Sequence, residues 1–152
     1  MTGPEYLSQH GINEASIKRF HITWNENQVN IPIKNKEDKI IWVKHRNLKF
    51  NPDDPESKKY INDAGSKMSL FNIRSHHDKK TIVLCEGEID AIRLDQEMIP
   101  AISSTAGALS FNIELAKELE NKTVYIIYDN DKAGKKGIKQ ILKFLPNAKI
   151  IC

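Results

Sequence analysis

The chain has 152 residues, of which 39% are hydrophobic and 28% charged, with a formal net charge of +3. That length suits one ordinary domain, or a domain with a compact subdomain, and the composition supports a packed core rather than a disordered or fibrous chain. No apolar run nears the roughly 20 residues that cross a bilayer, so no membrane contact is expected.

The amino terminus lacks a basic stretch followed by an apolar one, so no secretory signal is read. Cys85 and Cys152 lie far apart and fit neither a disulfide framework nor a CxxC zinc module. A reduced, cytoplasmic setting is expected. Charge is unevenly spread: the segment from Lys34 to Lys80 holds Lys44, Arg46, Lys49, Lys58, Lys59, Lys67, Arg74 and further lysines against few acids. A basic surface of that kind suits a polyanion.

Taken in order, residues 13–20 predict a short helix capped by Asn13, with Ile17 and Phe20 at helical spacing. Gln28 to Ile33 alternates as a half-buried strand, where Pro32 suggests an edge or a strand end. Lys39 to Arg46 predicts a second strand, and Asn35-Lys36-Glu37-Asp38 between them makes a hairpin. Asn51 to Pro55 is loop. Tyr60–Asn62 and Leu70–Ile73 are short apolar pieces, and the polar run from Ser75 to Lys80 closes the first half as a linker.

From Thr81 the pattern changes. Thr81–Cys85 is a continuous apolar run of buried-strand type, followed by a helix over 88–98, a strand over 100–103, and a helix over 112–119. A strand follows over 123–128, then a long amphipathic helix over 132–145 with Ala133, Ile138, Ile141, Leu142 and Leu145 inward. A last strand begins at Ala148. Strands alternating with helices predict a parallel α/β sheet flanked by helices. The expected domains are a small mixed α+β, basic subdomain over 1–80 and the α/β domain over 81–152. Because the sequence stops at that last strand, an excised fragment is expected.

In an open parallel sheet, ligands bind at the carboxyl ends of the strands. Cys85-Glu86-Gly87-Glu88-Ile89-Asp90 and Tyr128-Asp129-Asn130-Asp131-Lys132-Ala133-Gly134 sit at two such ends. Asp129 and Asp131, two residues apart on extended backbone, can point the same way. Convergent carboxylates make a hard-oxygen site for Mg²⁺ (or Mn²⁺), with Glu86 as a third ligand or a general acid/base. Either motif alone is weak, since acids also favour turns and helix starts; the pair at equivalent strand ends favours a site. The five histidines lack zinc-ligand spacing, and Trp42 reads as core.

These two motifs together resemble the TOPRIM domain of bacterial-type primases, topoisomerases and several nucleases. Ser103-Ser-Thr-Ala-Gly107 is similar to that domain's small-residue loop after its second strand. The resemblance implies that Glu86 is the acid/base glutamate, that Asp129 and Asp131 bind the metal, and that Asp90 is a further acidic position. Gly87, Gly107 and Gly134 would be the structural glycines of the site. Tyr6-Leu-Ser-Gln-His-Gly-Ile12 with Ile17-Lys-Arg-Phe20 looks like the opening of the primase RNA-polymerase core, and the basic hairpin looks like its template-guiding subdomain. Arg46, Lys59, Asn62 and Lys132 would then contact nucleic acid or nucleotide.

The resemblance implies a DnaG-like primase core: RNA primer synthesis from ribonucleoside triphosphates on single-stranded DNA, with a replicative helicase as a candidate partner. Without the zinc module and the later acidic motif, this length is expected to prime weakly or not at all. A TOPRIM nuclease and a non-catalytic nucleic-acid-binding module attached to a helicase are the alternatives, and a topoisomerase fits least.

Overall fold

The computed structural model describes Met1–Ile151; Cys152, and with it the end of the expected last strand, lies outside the described residues. The chain divides into two compact units, Met1–Ser66 and Lys67–Cys152. The first opens with helix α1 (Gly3–Gln9), which the sequence reading did not expect. Its signal is a capping box: the Thr2 side chain accepts from the Glu5 N–H, and the Glu5 carboxylate accepts from the Thr2 N–H. Helix α2 (Glu14–Arg19) starts as expected, with the Asn13 side chain accepting from the Ser16 N–H at 2.8 Å.

Strands β1 (Thr23–Trp24), β2 (Gln28–Lys34), β3 (Ile40–Asn47) and β4 (Tyr60–Asn62) then form an antiparallel sheet in that order. The β2–β3 hairpin is the expected one, its turn held by Asn35 Oδ1 accepting from the Glu37 and Lys39 N–H groups. Pro32 lies inside β2 rather than at its end. It is tolerated because β1 pairs only with Val29 and Asn30, so the Pro32 side of the strand has no ladder neighbour there. Val29, Ile31, Ile33 and Trp42 share the sheet's inner face and are buried with Tyr6, Leu7, Ile12, Phe20 and Ile22.

The second unit is a five-stranded sheet in the order β5 (Leu70–Phe71), β7 (Ala101–Ser104), β6 (Thr81–Cys85), β8 (Thr123–Ile127), β9 (Lys149–Ile150). Strands β6 to β9 are parallel, as the alternation predicts, while β5 runs antiparallel on β7. The sequence reading ended the first domain at residue 80. Residues 67–80 instead join the second unit, because β5 completes its sheet and His76 is buried in it. His76 is therefore no linker residue: its Nε2 lies 2.7 Å from Asp95 Oδ1, and Asn72 Nδ2 donates to that same oxygen.

Three further helices cover the sheet: α3 (Glu88–Gln96), α4 (Ile113–Glu118) and α5 (Lys132–Leu142). Leu84, Ile102 and Ile126 form one core with Phe111, Leu115, Leu119 and Ile141, so α4 and α5 cover that face. Each such fully buried side chain contributes about 2 kcal/mol of transfer free energy. Helix α3 buries Ile89, Ala91 and Ile92 outside that cluster, on the opposite face. One expectation for α5 fails: Ala133 is exposed, and the inward positions of the first turns are Gly134 and Gly137. Among the described residues no helix is long and apolar enough to cross a membrane.

Candidate active site at the strand ends

Strand β6 is central, with β7 on one side and β8 on the other. The chain leaving β6 turns to α3 on one face, and the chain leaving β8 turns to α5 on the other. Between two such diverging connections a crevice opens at the carboxyl ends of the strands. Glu86 and Asp129, each just beyond its strand, border that crevice together. The Asp129 N–H donates to Glu86 Oε2 at 3.1 Å, which ties the two sequence motifs into one site.

Gly134 explains why the acidic loop sits where it does. A Cβ added there would lie 2.1 Å from the Asp129 carbonyl oxygen and 3.0 Å from its carbon. Only a residue without a side chain lets the first turn of α5 pass under the Asp129 backbone. Asp131 caps that helix, its Oδ1 accepting from the Gly134 N–H at 2.7 Å. Its other oxygen makes no hydrogen bond among the described residues. Asp129 and Asp131 are both exposed, whereas Glu86 is half-buried.

The electrostatics follow from this crowding. The Glu86 carboxyl is held above its ordinary range, first by partial burial and then by the negative charges of Asp129, Asp131 and Asp90, against the lowering effect of the Asp129 N–H. Asp90, exposed in the first turn of α3, is thus part of the same acidic field. Among the described residues no group of three or more His, Cys, Asp or Glu side chains closes into a metal shell. The donors are an open set of carboxylate oxygens. That set fits Mg²⁺, which takes one or two protein carboxylates and completes its octahedron with water and phosphate.

The other glycines differ in what they do. Gly107 adopts φ +81°, a left-handed conformation that favours glycine in the loop after β7. Gly87 is the extended N-cap of α3, and a Cβ on it would come 3.2 Å from Asp90 Oδ2, a contact a flexible carboxylate can relieve.

Sequence reasoning passed over the floor of the crevice. Tyr128 is buried, its hydroxyl finds no partner among the described residues, and burial raises its pKa, with Glu86, Cys85 and Glu88 adding to the effect. Ser103 and Ser104 are likewise buried with unpartnered hydroxyls. Burial also pushes the Cys85 thiol up to about 12, so it is no nucleophile. Glu88 is buried at 2% exposure and lies within electrostatic reach of Tyr128.

Three of the candidate nucleic-acid residues, Arg46, Lys59 and Asn62, belong to the first unit. The Arg46 guanidinium lies over the rings of Tyr6, Tyr60 and Phe50 at 5.3, 5.3 and 5.9 Å, and donates to the Lys59 carbonyl at 3.3 Å. Lys59 Nζ lies 5.9 Å from the Tyr60 ring, and Asn62 is exposed on β4 opposite Lys44. Lys132, the first residue of α5, is exposed beside Asp131.

Comparison with known proteins converges on one family. A family model described as Toprim-like matches residues 83–152. The Gene 57 protein of Mycobacterium phage D29 is 30% identical over 106 residues, covering 68% of this chain and 69% of that protein. A DNA primase of Aquifex aeolicus (strain VF5) is 30% identical over 131 residues, which is 80% of this chain but only 26% of the primase. The crystal structure of the zinc-binding and RNA polymerase domains of the Aquifex aeolicus primase shares the fold with a TM-score of 0.78 at 21% identity. That match covers 97% of this chain and 48% of the other. A DnaG primase catalytic domain bound to single-stranded DNA matches with a TM-score of 0.71 at 18% identity, over 97% of this chain and 63% of that one. The chain thus spans about a quarter of the curated primase and about half of the solved Aquifex chain.

Proposed function

This chain belongs to the Toprim-like family and shares the fold of DnaG-type DNA primase catalytic cores, and from that premise we propose that it carries the nucleotidyl-transfer centre for making short RNA primers on single-stranded DNA. The observation that carries the reading is the Asp129 N–H donated to Glu86 Oε2, which brings the acids of two distant motifs to one crevice. Asp129 and Asp131 would hold a divalent cation, Mg²⁺ or Mn²⁺, through their exposed carboxylates. When bound there, such an ion neutralises charge on a nucleoside triphosphate and on the phosphoryl group in transit.

Glu86 keeps one oxygen on the Asp129 N–H and leaves Oε1 to take the proton of an attacking 3′-hydroxyl, or to join the metal set. Partial burial and the neighbouring acids keep its carboxylate basic. Tyr128 and the apolar rows below it shut water out of the crevice floor. In the first unit, Arg46, Lys59 and Asn62 would contact template or nucleotide, with Arg46 oriented by its aromatic rings. A replicative helicase is the fitting partner for a core of this family.

The test uses the chain with Mn²⁺, labelled ribonucleotides and a single-stranded template. Asp129→Asn and Asp131→Asn are expected to weaken Mn²⁺ binding by at least about tenfold and to remove the weak nucleotide incorporation of the wild-type chain. Unaltered Mn²⁺ affinity in both variants overturns the site. Strand cleavage without nucleotide consumption replaces primer synthesis by nuclease chemistry on the same acids.

A further inference from the structure

Helix α5 does more than cover the sheet. Lys132, Lys135, Lys136 and Lys139 recur at helical spacing and are all exposed on its outer face. With Asn130 and Asp131 they line an open groove of about 370 Å³. Several other lysines of this unit have partners: Lys117 on Glu114, Lys143 on Gln140, and Lys122 on the carbonyls of His76, His77 and Lys79. The four α5 lysines have no side-chain hydrogen bond or ion pair among the described residues. Like charges three and four residues apart repel and weaken a helix, and among the described residues Asp131 is the one acid lining the groove beside the four lysines.

We propose that this face of α5 is a track for the phosphodiester backbone of single-stranded nucleic acid, gripping it without regard to sequence. From Lys132 to Lys139 the stripe runs about 10.5 Å at 1.5 Å per residue, long enough for roughly three phosphates of a strand stacked at the duplex rise of about 3.4 Å, and for fewer of an extended one. It starts at the residue that follows Asp131 and leads away from the acidic crevice, so a strand on it would be entering or leaving that crevice. That direction rests on the nucleotidyl-transfer reading; the lysine contact itself does not.

The groove's chemistry selects the ligand. Its lining has no apolar or aromatic side chain, whereas small-molecule pockets are concave and mostly apolar. Without an aromatic ring there is no stacking platform, and Asn130 is the single amide, so base readout is absent. The helix turns Gly134, Gly137 and Ile141 to the interior, so no apolar stripe remains for a lipid surface. Asp131 already caps the helix, so the grip comes from ammonium groups rather than from backbone N–H donors.

The test is a fluorescence-anisotropy titration of labelled oligothymidylate of about 16 nucleotides with the whole chain. It is run in EDTA from about 50 to 200 mM NaCl, where the dependence of affinity on salt counts phosphate contacts. Replacing Lys135, Lys136 and Lys139 together by alanine is expected to reduce the slope of log K against log salt by about 2, at roughly 0.7 per lysine on a single strand. Lys79→Ala with Lys117→Ala and Lys143→Ala serves as the charge-matched control and should lower the slope by much less. An unchanged slope in the α5 variant, or an equal fall in the control, overturns the track. So does inorganic tripolyphosphate that binds the wild type and displaces the oligonucleotide stoichiometrically, because that identifies a compact polyphosphate site. If Asp129→Asn keeps full Mn²⁺ binding while the α5 variant loses slope, the nucleotidyl-transfer reading fails and the track stands.

Discussion

The two units of this chain use charge in opposite ways. In the first, Arg46 is enclosed by Tyr6, Phe50 and Tyr60, and His45 Nε2 lies 2.9 Å from Asp63 Oδ1, while Asp63 Oδ2 accepts from the Val43 N–H. Those bonds hold the Asp63 carboxyl below its ordinary range. In the second unit, Glu86, Asp129, Asp131 and Asp90 crowd one another at the strand ends, and the Glu86 carboxyl is held above its range. Charge that is satisfied within the fold stabilises it. Charge left facing its own sign is a liability that a bound ion or polyanion can relieve, and it is the better guide to a ligand site.

The hardest blow to the second unit should come from a residue with no charge at all. Gly134→Ala forces a methyl group into the Asp129 backbone and is expected to cost about 3 kcal/mol, the upper range for overpacking, together with loss of Mn²⁺ binding. Urea unfolding followed by far-UV circular dichroism measures it; a stability change within about 0.5 kcal/mol of wild type means that the close approach is not needed. In the first unit, Arg46→Met should cost about 1–2 kcal/mol through lost cation–π contact. Both tryptophans, Trp24 and Trp42, lie in that unit, so their fluorescence follows it. Unchanged stability in Arg46→Met would mean that the three rings do not hold the guanidinium, and would break the contrast.

The contrast also has a pH signature. Asp63 has a lowered folded pKa, so its contribution is present above the ordinary value of 3.8 and is lost as pH falls through the lowered one. Asp63→Asn should therefore destabilise the protein near neutrality and match wild type in strong acid. Glu86 has a raised folded pKa, so the folded state holds its proton longer, and stability declines as pH rises from about 4.5 through the raised value. Glu86→Gln, melted in EDTA, should be more stable than wild type near neutrality, the gap closing below about pH 4.5. Parallel pH profiles for the two variants would erase the distinction. The smallest effect is reserved for Tyr128→Phe, which removes a buried hydroxyl without a partner and should stabilise by no more than about 1 kcal/mol. A loss of stability instead would mean that the hydroxyl is held by something in solution.

Much of this was legible in the sequence because it is local. The apolar run of Thr81–Cys85, the alternation in Gln28–Ile33 and the caps Asn13 and Asn112 each carry their signal within a few residues. Helix α1 was legible too, through Thr2 and Glu5, but a motif-centred reading of Tyr6–Ile12 passed it by. What the sequence concealed depends on distant partners. Nothing near Leu70-Phe71 announces a strand whose partners are Ser103 and Ser104. Ala133 looks like an inward helix position until Gly134 is seen to be the residue under the Asp129 backbone. Arg46 reads as a surface cation because its three rings come from Tyr6, Phe50 and Tyr60, spread across the first unit.

The short strand β5 has a practical corollary for anyone dissecting or recombining this protein. A cut at residue 80, where composition changes, would strip β7 of its edge and leave Asp95 without His76 and Asn72; removing one partner of a buried pair typically costs about 3–5 kcal/mol. A cut at Ser66/Lys67 keeps that clasp with the acidic sheet. The excisable module is therefore longer than the residues matched by the family model, and grafts of it should begin at Lys67.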